Sequence, residues 1–116
     1  MPQIERVIPV LQVKNIKRSL EFYREMLGFE LEWGGEEGGE ICSIARDGQS
    51  IMLAQESKPG LSGCVWIGLE DDSLFEVCKS KGAKIILEPG NMPWAYEMKI
   101  EDADGNILWL GTEPRK

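Results

Sequence analysis

Histidine does not occur in this sequence. That removes histidine metal ligands and every Ser-His or Cys-His catalytic arrangement. Cysteine is scarce. Cys42, Cys64 and Cys78 are odd in number and show no Cys-x-x-Cys spacing, which disfavours a disulfide framework and makes a reducing cytoplasm the expected location. No apolar run is long enough for a transmembrane span, and the first twenty residues hold no signal-peptide core. Positive charge is outnumbered: 13 Lys and Arg stand against 20 Asp and Glu, a formal charge of −7. This disfavours nucleic acid and anionic membranes as partners. It favours a cationic ligand, although acidic charge also serves solubility alone.

What is present suits one domain. The chain has 116 residues, 42% of them apolar, enough for a real core or for two small modules sharing one. The stretch Ile8–Glu32 organises the rest. Val7–Val13 reads as a strand, with Pro9 suited to an edge. Asn15 caps a helix over Ile16–Leu27, whose Ile16, Leu20, Tyr23 and Leu27 share one face, widened by Phe22 and Met26. Gly28 stops it, and Phe29-Glu30-Leu31 opens a second strand. The glycine-rich run 34–39 reads as a mobile turn. Strands are expected at Glu40–Arg46 and Ser50–Ala54, joined by an Asp47-Gly48 turn, and Ser57-Lys58-Pro59-Gly60 reads as a linker.

The second half repeats the first. A strand over Gly63–Leu69 leads to a helix from Asp71 or Asp72 to about Lys81, with Leu74, Val77 and Cys78 on its apolar face and Gly82 as its stop. Strands follow at Ile85–Leu87, Tyr96–Glu101 and Ile107–Gly111, with 88–93 a loop. Residues 47–53 match residues 104–110 at a constant offset, and the run from Ser19-Leu20 to Gly28 matches that from Ser73-Leu74 to Gly82. Units this short share a core or a groove. Asp102–Asn106 superficially has the look of a calcium loop but lacks its full pattern and terminal glutamate, and reads as a turn.

Val10-Leu11-Gln12-Val13, the run SLEFYREMLG over Ser19–Gly28 and the ending Glu101-Asp102-Ala103-Asp104-Gly105-Asn106 resemble the vicinal oxygen chelate superfamily, which includes glyoxalase I, extradiol dioxygenases, fosfomycin-resistance enzymes and bleomycin-resistance proteins. The resemblance spans nearly the whole chain. It implies an α+β fold of paired βαβββ modules, residues 4–57 and 63–113 of a single domain 1–116, with curved mixed sheets around a cleft, often in a homodimer with exchanged modules. Metal-dependent members place ligands at positions that fall here on Ile8, on or beside Cys64, and on Trp109, whose first-module counterpart is Met52. Ile8 and Trp109 cannot supply nitrogen or oxygen ligands. The resemblance therefore implies no metal, no cofactor and no catalytic residue.

A narrower likeness is to the bleomycin-resistance branch, carried by Ile8-Pro9-Val10-Leu11, Glu21-Phe22-Tyr23, Leu27-Gly28-Phe29 and Pro93-Trp94-Ala95-Tyr96-Glu97, where Ala95 replaces a glycine of the branch. It implies non-catalytic binding and sequestration of a planar, cationic small molecule such as a bleomycin-family antibiotic. Two other functions stay open: a metal-dependent glyoxalase-like lyase or dioxygenase, and a non-catalytic protein-interaction module. The expected ligand-binding residues are Trp94, Trp109, Trp66, Met52, Gln12, Tyr96, Glu97 and Cys64. Strand alternation places Cys64 and Trp66 on one face and Trp109 on another that the resemblance turns to the cleft, where tryptophans can stack a flat heteroaromatic ring. The alternatives are plain: Trp66 and Trp109 fill the place of a lost metal site, Trp94 packs on a sheet edge or a dimer contact, Glu97 pairs with a lysine, and Gln12 satisfies a strand edge.

Overall fold

The computed structural model describes residues 3–36, 39–58, 60 and 62–115. The first half contains β1 (Val10–Val13), α1 (Ile16–Leu27), β2 (Glu30–Gly34), β3 (Ile41–Arg46) and β4 (Gln49–Gln55). The second contains β5 (Cys64–Gly68), α2 (Ser73–Ser80), β6 (Lys84–Asn91), β7 (Tyr96–Glu101) and β8 (Ile107–Thr112).

The ends of α1 follow from side-chain chemistry. Asn15 Oδ1 accepts the Arg18 amide at 2.9 Å, and Gly28, at φ 70°, returns its amide to Arg24 O. Arg46 adds a guanidinium bond to Leu27 O at 2.6 Å, which places positive charge on the free carbonyls of the last turn. The buried face is Ile16, Ser19, Tyr23 and Leu27, with Leu20, Phe22 and Met26 half-buried. In α2 the buried residues are Phe75 and Cys78, so Phe75 replaces Leu74 and Val77 as the main anchor. Two strand boundaries differ from the sequence-based expectation. β1 starts at Val10 because Pro9 contributes only its carbonyl, to the Met52 amide at 2.9 Å. β6 runs on through Glu88-Pro89-Gly90-Asn91, expected as a loop, because two shifts of register let the ladder step past the donor-less Pro89. Of the run 34–39, Gly34 closes β2 and Glu37 and Gly38 lie outside the described residues, as does Pro59 of the linker.

The two sheets repeat one topology, β1-β4-β3-β2 and β5-β8-β7-β6. The first strand of each runs parallel to the last, Val10 facing Met52 and Trp66 facing Trp109, and the crossover between them carries the helix. Period-two alternation then divides each sheet. Leu11, Val13, Ile44, Ile51 and Leu53 of the first sheet, and Met98, Ile100, Leu108 and Leu110 of the second, join Tyr23, Leu27, Phe75 and Cys78 in one core.

A polar clasp ties the halves together. The Tyr23 hydroxyl donates to Asp102 Oδ2 at 2.8 Å, and Asp102 also accepts the amides of Asp104 and Asn106 and the Asn106 side-chain amide. Asp104 accepts from the Lys14 amide, the Arg18 guanidinium and the Ser19 hydroxyl. The segment that superficially has the look of a calcium loop is thus a turn whose carboxylates are occupied by protein donors. Burial, reinforced by the Asp102 charge, pushes the Tyr23 phenol well above its ordinary value.

Candidate functional site

The face of the second sheet turned away from α2 is where chemistry gathers. On β7, Met98 and Ile100 point into the core, so Glu97 and Lys99 point the other way. On β8, Leu108 and Leu110 go inward, leaving Trp109 and Gly111 on the open face. The ladder sets Lys99 beside Trp109 and Glu97 beside Gly111, and β5 adds Trp66 and Gly68 opposite them. Trp94 reaches the same face from a tight turn in which Met92 and Ala95 exchange backbone hydrogen bonds.

Glu97 is the centre of this group. It is 1% exposed, and a carboxylate that far from water needs hydrogen-bond donors. Two indoles provide them. Trp94 Nε1 donates to Oε1 at 2.5 Å, and Trp109 Nε1 donates to Oε2 at 2.8 Å. One carboxylate therefore fixes the orientation of a loop tryptophan and a strand tryptophan together. Trp66 meets Trp109 edge-on, with centroids 5.3 Å apart and planes at 78°. The Trp66 indole lies across Gly111, where an added Cβ would stand 2.2 Å from its ring. The Lys99 ammonium sits 4.3 Å from the centre of the Trp109 ring. Trp66 is 46% exposed and Trp94 59%, so the wall is open to a ligand.

The open face of the first sheet is less aromatic. Val10, Met52, Ser43 and Trp33 stand in one row, and a shift of register beside Glu32 accompanies the turn of its carboxylate onto the Ser43 and Ser50 hydroxyls, at 2.8 and 3.0 Å. The Ser43 bond, with that of Ser50, holds the Glu32 carboxyl below the usual range.

Of the expected site residues, the structure brings Trp66, Trp94, Trp109 and Glu97 together. Cys64 lies at the start of β5 on the same face, exposed and paired in register with Ile107. Met52 is on the first sheet. Two belong elsewhere. Tyr96 is on the opposite face of β7 from Glu97, stacked on Phe75 at 5.5 Å and covered by the Arg115 guanidinium. Gln12 uses its side-chain oxygen to accept the Gly60 amide at 2.7 Å, which ties it to the connection between the halves. Among the described residues Glu97 pairs with no lysine. Lys99, Glu32 and Ser43 were not expected at all. The alternation of Met98 and Ile100 with Glu97, Lys99 and Glu101 is the signal that assigns Lys99 to the open face.

These residues do not fit a divalent metal. Ile8, Cys64 and Trp109, with Met52 as the counterpart of Trp109, stand at the positions that the resemblance gives to ligands, and among the described residues no group of three or more Cys, Asp or Glu side chains is gathered to hold an ion. No helix among the described residues is long and apolar enough to cross a membrane.

Residues 3–110 match the Glyoxalase/Bleomycin resistance protein/Dioxygenase superfamily. The uncharacterized protein YetH of Bacillus subtilis (strain 168) is 25% identical over 107 residues, covering 84% of this chain and 89% of its own. Among solved structures, the bleomycin resistance determinant encoded on the transposon Tn5 superposes with a TM-score of 0.81 at 17% identity, covering 95% of this chain and 98% of that one. TnmS3, an antibiotic binding protein from Streptomyces sp. CB03234, gives a TM-score of 0.76 at 22% identity over 97% of this chain and 99% of its own.

Proposed function

Since the chain belongs to the Glyoxalase/Bleomycin resistance protein/Dioxygenase superfamily, we propose that it is a non-catalytic protein that binds and sequesters a planar small molecule. The observation that carries this reading is the indole–carboxylate group Trp94–Glu97–Trp109 with Trp66 beside it. Such a group has π-faces held in fixed orientation, which suits stacking. The names of the two structural relatives, a bleomycin resistance determinant and an antibiotic binding protein, support the same class of function. A bleomycin-family compound is the finer form of the proposal, its cationic part drawn by the net charge of −7 and by Glu32.

The protein acts as a homodimer in this reading. Val10, Leu31, Trp33, Ile41, Ile86 and Trp94 leave apolar surface in water on both sheets, and a second copy would cover it and close a cleft over each aromatic wall. Free thiols at Cys42, Cys64 and Cys78 suit a reducing cytoplasm.

The test is titration of the purified protein with bleomycin, followed by tryptophan fluorescence. Saturation at micromolar ligand is expected, with a dimer by light scattering. Trp94→Ala should stay folded and lose about tenfold to a hundredfold in affinity, the range of one to three kcal/mol of ring stacking. No saturable change rejects the drug, and unchanged binding by Trp94→Ala makes the loop structural.

A further inference from the structure

The basic side chain of the aromatic wall, Lys99, keeps its charge free for a ligand, although the chain as a whole is acidic. Three acidic or basic side chains alternate with core residues along the open face of β7: Glu97, Lys99 and Glu101. The two carboxylates are engaged. Glu97 is buried and holds two indole N–H groups. Glu101 pairs with Lys84 Nζ at 2.7 Å. Lys99 forms no ion pair among the described residues and rests its ammonium over the Trp109 ring. A ring face attracts a cation but accepts no conventional hydrogen bond along an N–H direction, so the ammonium keeps donors for another acceptor.

We propose that the planar ligand of this site carries an anionic oxygen substituent, a carboxylate, sulfonate or phenolate, that pairs with Lys99 while its ring system lies against the exposed indoles of Trp66 and Trp94. The inference rests on the stacking function proposed above and adds the chemistry of the substituent. Lys99 is flexible, strongly hydrated and half-buried, and it swings from the Trp109 face to an incoming anion without breaking a salt bridge. That movement also uncovers the Trp109 ring. Net acidity does not override it: at physiological salt, charges beyond about 8 Å are screened, and the carboxylates of the same strand are turned to other partners, Glu97 buried with its charge on two indole N–H groups and Glu101 on Lys84. The inference is compatible with a mixed-charge ligand and not with a purely cationic one, so bleomycin and an anionic planar compound are rival ligands for the same stacking wall, and the titrations with each decide between them.

The experiment compares two probes with one ring system, anthracene carboxylate and aminomethyl anthracene, both substituted on the central ring. Each is titrated into the intact protein by quenching of tryptophan fluorescence. The carboxylate is expected to bind about tenfold tighter than the ammonium probe, with the gap narrowing as salt rises. Lys99→Met keeps the length of the aliphatic stem over Trp109 and should abolish the preference, lowering carboxylate affinity about tenfold while leaving the ammonium probe unchanged or improved. Thermal denaturation checks that this variant is folded, and the salt dependence of the unmodified protein gives the same answer without any substitution. Equal binding of the probes, tighter binding of the ammonium, or an unaffected carboxylate affinity in Lys99→Met overturns the role of Lys99 and leaves ring stacking standing. Failure of both probes to bind overturns the two together.

Discussion

Replacing Gly111 by alanine is the sharpest probe of the aromatic wall. The new methyl would stand 2.2, 2.8 and 3.0 Å from the Cη2, Cζ2 and Cζ3 atoms of Trp66, distances that real side chains do not adopt. The indole must therefore leave or the strands must part. Forcing a methyl into filled space costs about 1–3 kcal/mol, and losing the edge-on contact with Trp109 adds about 0.5–1.5 kcal/mol. Against this, alanine is better than glycine inside a strand by about 0.5–1 kcal/mol. Trp66 is half in water and can rotate away, which keeps the net loss near the low end, about 1–2 kcal/mol. In a domain of this size that lowers the thermal midpoint by roughly 4 °C per kcal/mol. The decisive measurement is the double-mutant cycle with Trp66→Ala, at one fixed protein concentration. With the indole gone only the strand term remains, so Gly111→Ala should become neutral or stabilising. If it destabilises both backgrounds equally, the glycine is required for a reason other than Trp66 and the reasoning fails.

Tyr23→Phe removes one bond to a buried carboxylate and should cost about 1.5–3 kcal/mol, read as a lower urea midpoint at unchanged slope; a loss under about 0.5 kcal/mol would mean that the clasp is not holding the halves. Stability should fall in alkali. Burial pushes Cys78 up to about 11 from an ordinary 9.0 and raises Cys42 and Tyr23 as well, so the unfolded chain loses these protons first. The Cys78 contribution is intact below about pH 9 and is lost as pH rises through about 11; a flat melting temperature across that interval contradicts it. In the native protein Ellman's reagent should modify Cys64 alone, with Cys42 and Cys78 reacting only after denaturation.

The elements that sequence made legible are those whose limits are set locally. Asn15 and Gly28 bound α1 because an amide acceptor and a left-handed glycine act within one turn, and the repeated Asp-Gly turns and helix stops revealed the doubled βαβββ order. The end of β6 is hidden in the sequence because Pro89 and Gly90 look like a loop until a partner strand absorbs them by a shift of register. The site divides in the same way. Three of the tryptophans could be singled out by residue type, but the pairing of Glu97 with two indoles depends on the ladder that puts Lys99 beside Trp109, and on a turn that returns Trp94 to the sheet. Tyr96 and Glu97 both read as ligand-binding residues in sequence, but they alternate along β7, and only Glu97 faces the aromatic wall.

The clasp between α1 and the β7–β8 turn also bears on how copies of this chain can share parts. Its tertiary bonds join Gln12, Lys14, Arg18, Ser19 and Tyr23 to Asp102, Asp104 and Asn106, and none of them involves a described residue of the connection 56–62. A second copy can therefore present the identical partners with no loss of bonding, and the choice between own and borrowed turn is a matter of proximity. A short tether holds the chain's own turn at an effective concentration on the order of millimolar. Below that concentration closure within one chain is the expected outcome, with the clasp intact. Shortening the tether until it no longer spans the distance would convert the same set of bonds into an intermolecular lock.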